Sequence, residues 1–397
     1  MNIVIKAYPA KNGDCFLISF GTKDSKQTHI IIDCGYADTV TNHLINDLEY
    51  IGGKGEYIDK LVLTHIDADH ISGAIALLKA NNTRNFIQIK DIWLNTYRHL
   101  FHEPTNEPVQ LQEQILRQVI ARGYPLEKDD TRGSRMITAK QGTTVGALIL
   151  QGGYSWNEDF NNNAVIVDTR RNIFLNEYAK IFLLSPDNQK LEKLKILWNE
   201  ELKRYGINFS FVSSTLYDDA FEMLLAWEKE KASKQHGEIS ASGSISDLVK
   251  CLPKVDTTAT NGSSIAFILE IQEKKLLFLS DSHPDLIVKS LNEYQREGPI
   301  KFDFIKVSHH GSFGNISQEL LNKIDATRFL FSTNGRRNNH PDKETIAHII
   351  NQSTDSIKEL YFNYTTKNSA FFDREDWRKE YHYSINYLDQ LPYSLTI

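Results

Sequence analysis

Apolar residues come in short runs separated by turn formers from the start of the chain: Ile3 to Ala7, Cys15 to Phe20 after Asn12-Gly13, and His29 to Cys34 closed by Gly35. Such runs predict strands, here an antiparallel opening sheet. From Thr39 to Tyr50 the spacing of Val40, His43, Leu44 and Leu48 is helical, Leu61 to Thr64 reads as a buried strand, and Ile71 to Ala80 as a second helix. A strand and a helix therefore bracket the polar segment His65 to His70. Asp91 to Asn95 predicts a further strand and Val109 to Ile120 a helix. Strand patterns return at Ala147 to Leu150, Ala164 to Val167 and Lys180 to Leu184. An amphipathic helix follows, with Leu191, Leu194, Leu197 or Trp198, and Leu202 on its apolar face.

The pattern lapses between residues 205 and 255, where Ala232 to Ser246 carries Ser, Gly and Lys without periodicity. This stretch reads as a mobile insertion within a single domain, 1–397. Periodicity is strongest afterwards. Strands Ser264 to Leu269, Leu276 to Leu279, Phe302 to Val307 and Arg328 to Ser332 alternate with helices Pro284 to Tyr294, Ile316 to Ile324 and one opening at Asp342. Strands and helices in both halves predict an α/β architecture of two layered sheets flanked by helices. Residues 355–397 form an aromatic-rich extension, with Tyr361, Phe362, Tyr364, Phe371, Phe372 and Trp377, of the kind that completes a sheet or an oligomer contact.

With 41% hydrophobic and 24% charged residues, the composition is that of a folded soluble chain. A formal charge of -6 supplies no global field for nucleic acid, so a polyanion would have to be met by a local patch. Cys15, Cys34 and Cys251 are too scattered for a disulfide framework or a zinc ribbon. No apolar run reaches the ~18 to 20 residues that span a bilayer, and none near the start resembles a leader. A cytoplasmic protein without membrane contact is expected.

Candidate chemistry concentrates in four places. Thr64-His65-Ile66-Asp67-Ala68-Asp69-His70 offers four potential ligands within six residues at a strand's end, where an irregular backbone can turn several side chains to one point. Asp69 is also suited to capping the helix behind it. Asp281 stands where Leu276 to Leu279 runs out and can offer one oxygen to each of two cations. Ser308-His309-His310-Gly311 follows another strand, and Asn339-His340-Pro341 opens a helix. Arg336 and Arg337, just ahead of His340, carry the fork geometry that holds a phosphate.

Together the HxDxDH segment, the strand-end Asp281, the His-His-Gly-Ser run and the later His-Pro resemble the metallo-β-lactamase-fold hydrolases, in particular the branch of the nuclease domain of ComEC-type DNA-uptake proteins. Gly13-Asp14, Ile32-Asp33-Cys34-Gly35 and Asn261-Gly262-Ser263-Ser264 fit the same pattern. The resemblance implies an αββα sandwich of two mixed β-sheets flanked by helices, with a large central insertion. It also implies two divalent metal ions, Zn2+ or Mn2+ with Mg2+ as a third candidate, held by His65, Asp67, Asp69, His70, Asp281 and His310, with Asp281 bridging. Asp67 stands where the family usually has a histidine, which makes the first site harder. The family's third ligand has no histidine counterpart here; Asn261 occupies about its place and can give a neutral oxygen or touch substrate. His340 is the alternative to His310 as last ligand.

The implied chemistry is hydrolysis by a hydroxide held between the cations. Asp69, His309 and His340 are then the catalytic groups, a histidine protonating the leaving oxygen, while Asn261, Ser264, Arg336 and Arg337 meet the substrate. The branch implies a metal-dependent nuclease or phosphodiesterase with DNA as its partner. Two readings stand beside it. One is a hydrolase of a small phosphodiester, lactone or other ester, favoured by the acidic net charge; the other is a catalytically weak metal-binding module that recognises a partner. A regulatory protein or a second copy of the chain is a further expected partner.

Overall fold

The computed structural model describes residues 1–22, 25–100, 144–204, 243–354 and 357–397. Period-two alternation builds two sheets with a shared core between them. The first runs in the order β16 (Ser394–Thr396), β1 (Asn2–Ala7), β2 (Phe16–Gly21), β3 (Thr28–Ile32), β4 (Lys60–Val62), β5 (Ile92–Trp93). It is antiparallel from β16 to β3 and parallel from β3 to β5. The second runs β15 (Tyr383–Tyr387), β14 (Lys358–Phe362), β13 (Arg328–Phe331), β11 (Phe304–Lys306), β9 (Lys274–Phe278), β8 (Ala266–Ile271), β7 (Ala179–Ser185), β6 (Asn172–Phe174). It is antiparallel from β6 to β9 and parallel from β9 to β15.

Successive side chains point to opposite faces, and the three buried clusters follow that rule. Ile3, Ile5, Phe16, Ile18, Ile30 and Ile32 of the first sheet meet Phe267, Leu269, Leu276, Phe278, Phe304 and Leu330 of the second. The intervening residues face outward: Leu17 and Ile31 toward α1 (Ile45–Gly53), α2 (Ala68–Arg84), α3 (Val145–Gly152) and α4 (Asn188–Arg204), all on the first sheet's outer side. Ile268, Leu277 and Ile305 instead pack toward α5 (Pro284–Tyr294), α6 (Gln318–Lys323) and α7 (Lys343–Ile350). The architecture is an αββα sandwich. In both sheets the parallel strands end on the same side, which is where open α/β sheets gather their ligand-binding groups.

Several local expectations change. Ala147 to Leu150 lies in α3, not a strand; a run of four apolar residues suits either period, and Thr144 Oγ1 accepts from Ala147 N at 3.1 Å to start the helix. Ala164 to Val167 is buried but irregular, and the Asn95 side chain takes the place of a strand partner, donating to Val165 O at 2.9 Å and accepting from Val165 N at 2.8 Å. The predicted strand Phe302 to Val307 divides at Asp303: β10 (Ile300–Phe302) pairs with β12 (Ile324–Ala326), while β11 enters the large sheet. Asp303 accepts from Lys275 N at 3.0 Å and holds the break.

The helix expected at Val109 to Ile120 and residues 205–242 of the expected insertion lie outside the described residues. Within the rest of that stretch, Ile245–Leu248 is a short helix whose Ile245 and Leu248 are fully buried against the second sheet, while Leu252 and Val255 beyond it are exposed. The aromatic tail is likewise integral: β14 and β15 extend one sheet and β16 closes the other against β1. Among the described residues no helix is long and apolar enough to cross a membrane.

Candidate metal centre

Four strand ends and one helix start converge. β4 ends at Val62 and α2 begins at Ala68, so Thr64 to Asp67 cross between them. Asp67 is the helix N-cap residue, not Asp69, and Asp69 and His70 lie in the first turn. The expected polar loop is thus half helix, which fixes Asp69 and His70 more firmly than a loop would. β9 delivers Ser280 and Asp281, β11 delivers Ser308 to Gly311, and β13 delivers Ser332.

The His-His-Gly run owes its reach to an unusual backbone. His309 (φ 45°), His310 (φ 57°) and Gly311 (φ 89°) are consecutive left-handed residues. Asp33 (φ 55°) and Ser280 (φ 48°) share that region. Non-glycine residues there are strained and cluster at functional sites. The opposite wall is the turn Ala10 to Asp14. A Cβ at Gly13 would stand 1.9 Å from Asp69 O, so only glycine lets this turn close on α2.

Asp281 is the hub. Its Oδ2 lies 3.7 Å from His65 Nε2, 3.6 Å from His309 Nε2 and 3.8 Å from His310 Nε2, while its Oδ1 lies 3.6 Å from His70 Nε2. His65 Nε2 is 3.0 Å from Asp67 Oδ2, and His310 Nε2 is 3.7 Å from Asp69 Oδ2. Two donors on one tetrahedral ion at ~2.0–2.1 Å sit about 3.3–3.5 Å apart; the 3.6–3.8 Å separations here lie a little outside that range and the 3.0 Å pair a little inside it, so small side-chain shifts would let these groups share an ion. Two ligand groups emerge, His65 with His70 and Asp281, and Asp69 with His70 and His310. A third grouping, Asp14, Asp33 and His70, lies behind them.

The imidazoles are set to accept a cation. His70 Nδ1 donates to Asp33 Oδ2 at 2.7 Å, and Asp33 is itself held by Thr64 N at 2.8 Å and Thr64 Oγ1 at 2.7 Å. His310 Nδ1 donates to Ser332 O at 2.9 Å. Each Nε2 then faces the centre, buried and without a hydrogen-bond partner among the described residues. A ring proton committed outward fixes the tautomer and leaves the second nitrogen as a ligand. Burial opposes a charged His70, but the Asp33 and Asp281 carboxylates outweigh it and hold its pKa well above the usual histidine range. A cation at Nε2 would take that proton's place.

Charge points the same way. Asp14, Asp33, Asp67, Asp69 and Asp281 are all no more than 3% exposed, and Lys306, buried with them, pairs with Asp14. Burial works against charge on Asp14, yet Lys306 and then His310 hold its carboxyl far below the usual carboxylate range. So much negative charge is costly to bury unless cations balance it. The residues present fit divalent metal binding.

Around this cluster the other sequence candidates take different places. His340 Nδ1 pairs with Asp342 Oδ1 at 2.9 Å, and its ring centroid lies 5.6 Å from that of His309. Among the described residues His310, and not His340, joins a ligand group. Asn261 Nδ2 donates to Asp256 Oδ2 at 2.6 Å, while its Oδ1 is buried with no hydrogen-bond partner among the described residues. Ser264 is wholly buried, its N donating to Asn261 O at 3.0 Å and its Oγ without a hydrogen-bond partner among the described residues. Arg336 is exposed and Arg337 half-buried on the loop after β13. Asn368 of α8 (Lys367–Phe372) anchors that loop by donating to Asn339 O and Pro341 O, both at 2.9 Å.

Sequence reasoning missed Asp256, Asn315 and Asn12. Asp256 accepts from Asn261 Nδ2 and from Asn315 Nδ2, the latter at 3.1 Å; Asn315 Oδ1 is 2.7 Å from His309 Nδ1. Asn12 Nδ2 donates to Asp69 Oδ2 at 2.9 Å. Each is a single polar residue in a loop, with no spacing that could have set it apart.

The family described as the metallo-beta-lactamase superfamily has a model that matches residues 9–141. The αββα architecture is consistent with a metallo-β-lactamase fold. Members of that superfamily are mostly metal-dependent hydrolases, and the matched region contains the candidate ligands His65 to His70, while Asp281 and His310 are brought in by the second sheet. No curated protein matches the chain. Among solved structures, a mutant form of CmlA beta-hydroxylase aligns at 10% identity and a TM-score of 0.35 over 100% of this chain and 53% of that one. The chain therefore spans about half the length of that protein.

Proposed function

We propose that the protein is a metal-dependent phosphodiester hydrolase, with DNA as its substrate. The observation that carries the reading is the buried Asp281, whose Oδ1 lies 3.6 Å from His70 Nε2 and whose Oδ2 lies 3.7 Å from His65 Nε2 and 3.8 Å from His310 Nε2, so that one carboxylate stands among all three imidazoles. Divalent ions held at such paired sites supply a water nucleophile at neutral pH and neutralise charge on a phosphoryl oxygen. His65, Asp67, Asp69, His70, Asp281 and His310 would hold the ions between them. The three aspartates set beside the three histidines favour Mn2+ or Mg2+ more than an all-imidazole set would.

The remaining groups act on substrate. As an imidazolium, His309 keeps its Nδ1 proton on Asn315 Oδ1 and gives its Nε2 proton to the leaving oxygen, which is general acid catalysis. His340, with Asp342 behind it, backs the His309 ring. Arg336 and Arg337 supply the local cationic patch for neighbouring phosphates. The likeness of the motif set to the ComEC-type nuclease branch supports DNA over other esters.

The test is hydrolysis of single-stranded DNA, double-stranded DNA and a chromogenic phosphodiester with Mn2+, Mg2+ and Zn2+ in turn. DNA binding should weaken with salt at a log-log slope of about -0.7 per phosphate contacted on a single strand. Arg336→Ala with Arg337→Ala should flatten that slope and spare the chromogenic ester. Good cleavage of the ester with DNA untouched under every metal would move the substrate to a small ester; no cleavage of either, with two ions bound, would leave a metal-binding module.

A further inference from the structure

Asp256 lies beyond the ligand cluster, yet its carboxylate is fully engaged toward it. Its Oδ1 accepts from Thr258 N at 2.9 Å and Thr258 Oγ1 at 2.8 Å; its Oδ2 accepts from Asn261 Nδ2 at 2.6 Å and Asn315 Nδ2 at 3.1 Å. The backbone is pinned as well. Asp256 N donates to Gly314 O at 3.0 Å, and a Cβ on Gly314 would stand 2.7 Å from Lys254 O, so this strand of chain lies directly on the loop that carries Asn315.

The two amides have opposite partners on their two ends. Asn315 Nδ2 also approaches Asp281 O at 3.1 Å and Ser282 O at 3.4 Å, so all its acceptors lie on one side and its Oδ1 is turned to His309 Nδ1. An amide oxygen only accepts, so His309 carries its proton on Nδ1 and directs Nε2 at the centre, 3.6 Å from Asp281 Oδ2. Asn261 Nδ2 comes within 3.4 Å of His309 Nδ1 and would compete as a donor to it. The shorter bond to Asp256 draws that Nδ2 away. The same bond turns the Asn261 carbonyl oxygen to the side where it has no protein partner among the described residues.

We propose that Asp256 is a positioning residue: its carboxylate orients the Asn315 and Asn261 amides so that His309 holds the Nδ1-protonated form and aims Nε2 at the reacting centre. Asparagine cannot replace it. Both carboxylate oxygens receive N–H donors, so an amide at this position must set its own NH2 against one of them.

The test uses protein reconstituted with Zn2+ and labelled with 15N-histidine. In the wild type the neutral His309 ring should show the Nδ1–H tautomer; in Asp256→Asn it should become mixed or reversed, and Asp256→Glu should restore it in part. Zinc stoichiometry should be the same in all three. The second arm rests on the hydrolase reading: Asp256→Asn should lower kcat about 10- to 100-fold for a phosphodiester with a poor leaving group and much less for a nitrophenyl ester, with KM little changed. Asn315→Ala should give the same pattern, and combining it with Asp256→Asn should add little, because the two act through one ring. This second variant decides the matter if Asp256→Asn does not fold. An unchanged His309 tautomer in both variants overturns the proposal, as does a fall in activity that tracks zinc loss. A tautomer shift in a protein that cleaves no phosphodiester leaves Asp256 in its role and overturns the hydrolase reading instead.

Discussion

The inner histidines, His70 and His310, and the outer ones, His309 and His340, share a centre but are held by different materials. His70 and His310 give their Nδ1 protons to the Asp33 carboxylate and the Ser332 carbonyl, one fixed by Thr64 and the other ending a strand. His309 and His340 rest on side chains nearer the rim, the Asn315 amide at the end of a 3-10 turn and the Asp342 carboxylate at the N-cap of α7. The inner pair sits at 0% and 4% exposure. Rigid acceptors in a dry setting suit a ligand, whose geometry must not change. Side-chain supports at the rim suit a group that gains and loses protons during turnover. On the proposed function, ion holding and proton handling would be separated into two layers of one cluster.

The sharpest way to break that division is to remove its hub. Asp281→Ala should take turnover down by more than about 10³-fold and lower ion binding below two per chain, since Asp281 lies at ligand spacing from both groups; elemental analysis of the reconstituted variant, beside its rates, checks both. Next in size, His309→Ala should cost about 10²-fold on substrates with poor leaving groups while both ions remain bound. If His309→Ala instead empties an ion position, the outer layer belongs to the inner one.

Asp33→Asn probes the support of the inner layer. It removes the carboxylate behind His70 and should weaken ion binding by about 10- to 100-fold, read by competition with a chromogenic chelator, with a smaller effect on rate at saturating metal. The smallest effect belongs to Asp342. Burial raises its pKa, but the hydrogen bond and charge of His340 prevail and hold it below the usual carboxylate range. A carboxyl depressed in the folded state contributes stability that is present above its unfolded pKa, near 3.8, and lost as pH falls through the folded value. Asp342→Asn should therefore lower stability by about 1 kcal/mol at pH 7 and by less in acid, a difference that urea unfolding at the two pH values would show.

Much of the inner layer was legible in the chain. Donors packed within six residues after a strand, an Asp where an apolar strand stops and a His pair after another strand are signals because ligand chemistry demands several donors at one point. The alternating strands Phe16 to Gly21 and Ala266 to Ile271 were legible for the same reason that they form: each must bury one face on the other sheet. The outer supports were not. Asp256, Asn315 and Asn12 take their positions through loop contacts between residues far apart in sequence, as between Asp256 and Asn315, and a lone Asp or Asn in a loop is by default a turn former. Ala147 to Leu150 misled because four apolar residues in a row carry no period, and the Thr144 cap decides for helix. The tail completes the second sheet, one of the two roles its aromatics suggested, and Asn363 donates to Ser332 Oγ at 3.0 Å beside the carbonyl that holds His310, a contact no spacing announced.

Two ions at the Asp281 hub, acting together in phosphodiester hydrolysis, are the central claim. Titration of metal-free protein with Mn2+, following bound ion and the rate on a chromogenic phosphodiester in the same samples, tests it most directly. The rate should climb steeply with the second equivalent and level off at two ions per chain. A rate that is complete at one ion, or that does not depend on Mn2+, Mg2+ or Zn2+ at all, would contradict it.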